Sequence, residues 1–129
     1  MILGVGTDIV SIDRIKQSVE RHGEAFLKRI YSQGECQQAK QRNTGAIRFF
    51  ATRFAAKEAV WKALNRDRAE DIALSDIEIL ADQQGAPVVY LHGKALTLAH
   101  QKAGQTWKMD LSLSDDAGLA LAFVVFSAP

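Results

Sequence analysis

A carboxylate and an amine lie one helical turn apart in the segment RFAAKEAVWKAL, residues 53–64. Glu58 and Lys62 have the i, i+4 spacing that brings two side chains together on one helix face. On a helical wheel Glu58 lies about 40° from Phe54, so its carboxylate borders an apolar stripe and loses hydration there. Two positive partners could offset this cost, the Lys62 ammonium group or a bound metal ion. The alternative is an ordinary ion pair on an exposed helix surface, which contributes only about 0.3–0.5 kcal/mol.

Asp8 is a second candidate for chemistry, at the end of a segment that contains two glycines. Residues 2–10 alternate as a buried strand, which places Leu3, Val5, Thr7 and Ile9 on one face. The other face carries only Gly4 and Gly6 before Asp8, so a helix or a ligand can approach that backbone closely. Asp8 is therefore either a functional carboxylate beside such a contact or a turn or cap residue.

The element that must position Glu58 is a long helix predicted over residues 46–64, which contain no proline and no internal glycine. One side of this helix carries large apolar side chains, those of Ile47, Phe50, Phe54 and Trp61. The opposite side carries small side chains, those of Ala55, Ala56, Ala59 and Ala63. We therefore expect a central helix that is packed on both sides. Its charges can lie only in the two seams between these faces, Arg53 with Lys57 in one and Glu58 with Lys62 in the other.

The rest of the chain alternates between helix and strand signals. Ser11 is the predicted N-cap of a helix that runs to about His22 and stops at Gly23. Further helices are predicted over 24–30, 33–42 and 93–103, and further strands over 75–81, 88–92, 106–114 and 119–126. The last strand is apolar at every position, which predicts cover on both faces. These elements predict an α+β fold in a single domain, residues 1–129, with a mostly antiparallel sheet packed on the long central helix.

The composition excludes several classes of protein. The 129 residues are 47% hydrophobic, which is enough for one core and too little for two domains. The net charge of +1 gives no general attraction to nucleic acid or to an anionic membrane, so neither is expected as a partner. The single cysteine, Cys36, excludes an internal disulfide and gives no zinc-site spacing. The absence of signal-peptide features and of a membrane-length apolar run favours a cytoplasmic protein.

Three motifs stand out along the chain: GVGTDIVSIDRI at the start, RFAAKEAVWKAL in the long helix, and SLS before the last apolar strand. In sequence and spacing they resemble the holo-acyl-carrier-protein synthases, the small phosphopantetheinyl transferases. The similarity extends over essentially the whole chain, including DIEIL, QGAP and LHGKA between the motifs.

This resemblance implies an enzyme that moves 4′-phosphopantetheine from coenzyme A to a serine of an acyl carrier protein and releases adenosine 3′,5′-bisphosphate. In the family, Mg²⁺ bridges two carboxylates and the pyrophosphate of coenzyme A, and Asp8 and Glu58 match those carboxylates. The matching lysine, Lys62, would meet the phosphates and the departing group. Glu58 could also accept the serine proton, directly or through a water molecule. The resemblance further implies a homotrimer with sites between subunits.

Other residues are expected to bind the two substrates. Those expected to contact coenzyme A are Arg53, Lys57, Lys62, Arg66 and Ser114 of the SLS motif. On the first helix Arg14, Ser18 and Arg21 form one basic edge, and the resemblance implies that Arg14 and Arg21 bind the acidic helix of the carrier protein. A solvated helix face is the alternative, because Asp13 and Glu20 are interleaved with the basic residues.

Two positions depart from the family pattern. Residues 65–67 are Asn-Arg-Asp where the family has a glycine-rich GTG turn, and Arg66 could contact a phosphate in place of backbone N–H groups. Asp115 replaces a histidine of the SLSH motif that contacts coenzyme phosphates. An anion there must point away, recruit further metal or weaken coenzyme binding. These departures leave open a non-catalytic relative that binds coenzyme A or carrier protein.

Overall fold

The molecule is organised around one 19-residue helix, Ala46–Leu64, which contacts both sheets and the three other helices. The computed structural model describes residues 1–129. In chain order the elements are β1 (Ile2–Ser11), α1 (Ile12–Ile30), α2 (Gln33–Lys40), α3 (Ala46–Leu64), β2 (Ile77–Ala81), β3 (Pro87–Leu91), α4 (Gly93–Ala103), β4 (Lys108–Asp116) and β5 (Leu119–Ser127). Short 3-10 turns cover Asn43–Gly45 and Leu74–Asp76. The bounds predicted for the central helix are confirmed.

The five strands form two separate antiparallel sheets. The larger has the strand order β1-β5-β4, and the smaller is the hairpin of β2 and β3. β4 and β5 are joined by a tight turn at Ala117 and Gly118, whose positive φ angles of 51° and 79° are typical of a two-residue hairpin. The predicted α+β class and antiparallel pairing are confirmed.

The first helix begins where the sequence predicts, and the predicted stop at Gly23 is an interruption within the longer element Ile12–Ile30. The Ser11 hydroxyl accepts a hydrogen bond from the Arg14 amide at 3.3 Å, which caps the helix. Gly23 has a φ of 52° and a ψ of −131°, so it interrupts α1 between two helical segments. These φ and ψ values are accessible mainly to glycine, which is why the chain changes direction there. α2 ends at Lys40, slightly earlier than predicted.

Apolar side chains form two clusters around α3. The larger cluster joins the alanine side of the helix to the sheets and α4, and it includes Ala59, Ile79 and Val124. The smaller cluster joins α3 to α1 and α2, where the Tyr31 and Phe50 rings lie 4.7 Å apart. The prediction of a central helix packed on both sides is confirmed.

One face of the three-stranded sheet is exposed, which corrects two expectations. The inward face of β1 and β5 is buried, but their outward apolar side chains are between 42% and 59% exposed: Val5, Ile9, Leu119, Leu121 and Phe123. We call these five residues the outer apolar face. β1 was predicted to be a buried strand, but only one of its faces is buried. β5 was predicted to be covered on both faces, and this is wrong for a single chain, because its outward face is exposed. None of the helices has the length and hydropathy that crossing a bilayer requires.

Candidate active site

A close contact between β1 and α3 positions the site. Gly4 and Gly6 lie against the backbone of Ala63 and Ala59, and a Cβ added at these glycines would be 2.0 Å and 1.8 Å from the two alanine carbonyl oxygens. Both clashes are with backbone atoms, which cannot rotate away as a side chain can. The contact therefore requires glycine on this face of the strand and fixes the placement of α3 against β1.

Asp8 lies on the same strand face, two residues beyond Gly6. The Lys62 ammonium group donates to Asp8 Oδ1 at 3.3 Å and to the Thr7 carbonyl oxygen at 2.9 Å. The Asp8 and Lys62 side chains are 18% and 41% exposed, so this pair lies at the edge of the protein interior. Lys62 thus pairs with Asp8 across the strand–helix contact and does not pair with Glu58 in its own helix.

Glu58 is a half-buried carboxylate with no ion-pair partner within 4.0 Å. Burial raises the pKa of Glu58, the negative charge of Asp8 raises it further, and Lys62 only partly opposes the two. A raised pKa means that ionised Glu58 lacks compensation from the surrounding groups. Two positive partners are possible for Glu58, Lys62 and a metal ion. Lys62 is paired with Asp8, so a metal ion is the partner that is left.

The two carboxylates fit a hard divalent cation. Asp8 and Glu58 line the same cleft, of about 280 Å³, which we call the carboxylate cleft. No three metal-binding side chains converge anywhere in the protein. An ion in this cleft would therefore have two protein ligands and complete its shell with water and substrate oxygens, as Mg²⁺ does. It would also remove the repulsion from Asp8 that raises the pKa of Glu58.

The first helix forms another wall of the carboxylate cleft. Arg14 and Ser18 line this cleft and also an adjoining hollow of about 200 Å³, which Arg21 lines as well. The structure thus brings the three residues of the predicted basic edge together. That edge begins beside Asp8 and Glu58 and runs away from them along α1.

A second and larger cleft, of about 590 Å³, is lined by three arginines: Arg42, Arg48 and Arg53. We call it the arginine cleft. The Arg42 and Arg53 guanidinium groups lie 5.0 Å and 4.2 Å from the centroid of the Phe49 ring. Burial, together with the charge of Arg42, lowers the pKa of Arg53 to about 10. Asp115 is the one carboxylate that lines this cleft, and its Oδ2 lies 2.9 Å from Arg48 Nε. The cleft therefore carries excess positive charge.

Lys57 faces neither cleft. Its side chain is fully buried, and its ammonium group lies 2.7 Å from Glu35 Oε1 and donates to the carbonyl oxygens of Leu74 and Ile77. Glu35 Oε2 accepts a hydrogen bond from the Ile79 amide at 2.7 Å. The expectation that Lys57 binds coenzyme phosphates is wrong, because all of these contacts hold it inside the protein. Lys57 joins α3 to α2 and β2.

Two other expected phosphate ligands lie away from the clefts of a single chain. Ser114 is exposed on the outward face of β4, where its register partner is Leu121. The Arg66 guanidinium donates to the Leu3 carbonyl oxygen at 3.4 Å. Leu3 is four residues from Thr7, which places this contact about 13 Å along the strand from the Lys62 contact.

Sequence reasoning missed Arg42, Arg48 and Glu35. A signal for Glu35 was present, because Ser32 and Glu35 have the spacing of a capping box. The structure contains that box: Ser32 Oγ accepts from the Glu35 amide at 3.1 Å, and the Ser32 amide donates to Glu35 Oε1 at 2.8 Å. No local pattern marked Arg42 and Arg48, which join Arg53 only through the tertiary fold.

A family model described as the 4′-phosphopantetheinyl transferase superfamily matches residues 4–124. The chain is 41% identical over 133 residues to a holo-[acyl-carrier-protein] synthase of Orientia tsutsugamushi strain Boryong, covering 99% of this chain and 98% of the relative. It is 43% identical over 131 residues to the holo-[acyl-carrier-protein] synthase of Zymomonas mobilis, with coverage of 99% and 98%.

Solved structures give the same result. The holo-ACP-synthase of Plasmodium yoelii has a TM-score of 0.84 at 30% identity, covering 100% of this chain and 97% of the other. The ACPS–CoA complex of Chronobacterium ammoniagenes has a TM-score of 0.84 at 27% identity, with coverage of 97% and 96%. The matches therefore extend over the full length of the fold described above.

Replacing Gly6 tests the strand–helix contact. Gly6→Ala should destabilise the protein by about 2–3 kcal/mol in urea unfolding, because the new Cβ meets a backbone carbonyl oxygen. Gly45→Ala is the matched control, since its Cβ would meet nothing closer than 3.6 Å, and its cost should stay below about 1 kcal/mol. Equal losses in the two variants would contradict the role assigned to the contact.

Proposed function

The chain belongs to the 4′-phosphopantetheinyl transferase superfamily, and we propose on that basis that it transfers 4′-phosphopantetheine from coenzyme A to a serine hydroxyl of an acyl carrier protein. The observation that carries the proposal is the meeting of Asp8 and Glu58 beside Lys62, in a cleft that continues into a basic helix edge. Residues 1–129 act as one transferase domain, and the reaction takes place in the cytoplasm.

Asp8 and Glu58 would hold Mg²⁺, which would neutralise charge on the diphosphate of coenzyme A. The serine oxygen forms a bond to the phosphorus that carries the pantetheine arm. The bond from that phosphorus to the bridging oxygen breaks, and adenosine 3′,5′-bisphosphate leaves with the electron pair. Such a transfer requires little covalent chemistry of the protein, so the rate depends on positioning and charge neutralisation.

Glu58 accepts the serine proton, directly or through a water molecule. Its place in the carboxylate cleft beside Asp8 puts this carboxylate next to the reacting groups, which is the position that a general base requires. Lys62 neutralises charge on the departing phosphate. Its ammonium group lies 3.3 Å from Asp8 Oδ1, and the Lys62 side chain is 41% exposed. Lys62 is therefore accessible to a substrate that enters beside the carboxylates.

Arg53 binds a phosphate of coenzyme A in the arginine cleft. The lowered pKa of Arg53 supports this role, because a guanidinium group destabilised by burial and by Arg42 gains from a nearby anion. Arginine also suits the task because its planar fork can donate two parallel hydrogen bonds to phosphate oxygens.

The functional unit is a homotrimer. The outer apolar face is a continuous surface, because Val5, Ile9 and Phe123 belong to strands that pair directly. Exposed apolar surface of this kind is typical of protein interfaces. The two clefts share no lining residue. In the proposed trimer one coenzyme molecule contacts the arginine cleft of one copy and the carboxylate cleft of its neighbour.

The carrier protein binds along the basic edge of α1. Arg14 lines both the carboxylate cleft and the adjoining hollow, and Arg21 lines the hollow. An acidic helix docked on these side chains would be attracted electrostatically and would bring its serine beside the cleft.

Removing the Glu58 charge tests the metal site. Glu58→Gln should reduce transfer at least about 100-fold, as measured by the mass of apo carrier protein incubated with coenzyme A and Mg²⁺. Mg²⁺ should raise the Tm of the wild-type protein and not that of the variant. Glu24→Gln removes the same charge from an exposed position on α1 and should behave as wild type. A variant that is still stabilised by Mg²⁺ would remove Glu58 from the metal site.

The raised pKa of Glu58 also predicts a pH dependence without metal. Ionised Glu58 destabilises the fold, so its unfavourable contribution is fully present above its raised folded pKa and is lost as the pH falls towards the ordinary value of 4.5. Glu58→Gln should therefore be at least as stable as wild type at pH 7, and its advantage should vanish below about pH 4.5. A variant less stable than wild type at pH 7 would contradict this sign.

A charge reversal on α1 tests carrier recognition. Arg14→Glu should raise the KM for carrier protein about tenfold or more and change coenzyme A affinity less, because Arg14 belongs to the basic edge and does not line the arginine cleft proposed to bind phosphate. Lys16→Glu is the matched control, since Lys16 is exposed two residues away on the opposite side of the helix. Equal effects on both substrates, or equal effects of both variants, would count against the assigned surface.

A charge on the outer apolar face tests the assembly. Light scattering should give about three times the chain mass of 14.2 kDa for the wild-type protein and a single chain mass for Phe123→Glu. The monomeric variant should also lose transfer, because each site spans two copies. Tyr90→Glu, at an aromatic residue that is 46% exposed on the other sheet, should remain a trimer. A monomeric wild-type protein would refute the trimer.

A further inference from the structure

We propose that Asp115 is a positioning residue for coenzyme binding, which holds Arg48 at the arginine cleft so that the terminal nitrogens of Arg48 meet a phosphate group. The inference rests on the proposed function and deepens it. It assigns Asp115 a favourable role in phosphate binding, although both groups are negatively charged.

The strand register directs Asp115 towards α3. The inward side chains of β4 alternate along Leu111 and Leu113 to Asp115, and all three line the arginine cleft. Arg48 lies in the first turn of α3, where its Nε is 2.9 Å from Asp115 Oδ2. The pair thus joins the end of β4 to the start of the central helix beside the cleft.

The geometry of the pair leaves most of the guanidinium group free. Asp115 occupies Nε, and the two terminal nitrogens retain four N–H donors. The Arg48 side chain is 68% exposed, against 25% for Asp115, so the carboxylate is the fixed member and the guanidinium is the accessible one. A carboxylate that binds Nε restricts the rotation of a long side chain, which reduces the ordering that a bound phosphate would otherwise require.

The charge balance of the cleft allows this arrangement. Arg42, Arg48 and Arg53 outnumber the single carboxylate, so the cleft remains cationic with Asp115 ionised. Burial and, after it, the like charge of Arg42 lower the pKa of Arg53, and Glu35 only partly opposes them, so a bound anion would be favourable there. The pair is also partly exposed, and ion pairs of that kind contribute little to folding stability. Its position at a cationic cleft points to ligand binding.

A double-mutant cycle separates positioning from simple repulsion. Calorimetry would give the coenzyme A affinity of the wild type, Asp115→Asn, Arg48→Gln and the double variant, with circular dichroism as the check on folding. We expect each single variant to bind about tenfold more weakly and the double variant to bind no more weakly than Arg48→Gln. Asp71→Asn is the matched control, because it removes the same charge from an exposed side chain that lines neither cleft and should change affinity less than about twofold.

Simple repulsion between Asp115 and phosphate predicts the opposite change, tighter coenzyme A binding by Asp115→Asn. If Asp115→Asn binds coenzyme A as tightly as wild type or more tightly, the proposal fails, and it also fails if the two single losses multiply in the double variant. Dephospho-coenzyme A locates the contact: loss of the Asp115 effect with this probe identifies the 3′-phosphate, and its persistence identifies the diphosphate, with either result supporting the positioning role. A wild-type protein that binds no coenzyme A would instead refute the proposed function.

Discussion

The structure depends on the direct contact between the glycine face of β1 and the backbone of α3. Gly4 and Gly6 let the strand approach the carbonyl oxygens of Ala63 and Ala59, and any larger residue would clash with them. The contact serves packing and chemistry together, because Asp8 follows on the same strand face. A strand held further from the helix would leave Asp8 unable to reach Lys62, and the two carboxylates would no longer line one cleft.

The charged residues of α3 divide into those that the fold pairs and those that it leaves without an opposite charge. Lys57 is paired with Glu35 in the interior, Lys62 with Asp8, and Arg48 with Asp115. Arg53 and Glu58 have no such partner. Burial shifts the pKa of each towards its neutral form, as it also does for the buried and paired Lys57. Arg53 and Glu58 each lie in one of the two clefts, so the unpaired charges on the central helix coincide with the sites proposed for phosphate and for metal.

Much of this arrangement could be predicted from the sequence, because helix periodicity and glycine positions are local features. The bounds of α3, its two packed sides and the kink at Gly23 belong to that class. The role of Lys57 could not be predicted, since a residue in a helix seam is exposed or buried according to what folds over it. Likewise, the apolar sequence of β5 could not predict what covers its second face, because a strand covered by its own chain and one covered by another copy have the same pattern.

The most direct test of the account is to locate a divalent ion in crystals of the protein with coenzyme A. Mn²⁺ can replace Mg²⁺ at an oxygen-rich site and can be identified by its anomalous scattering. The account predicts one peak within about 2.2 Å of an oxygen from Asp8 and an oxygen from Glu58, in contact with the coenzyme diphosphate. A diphosphate-bound ion that touches neither carboxylate, or carboxylates that face apart with no ion between them, would contradict it.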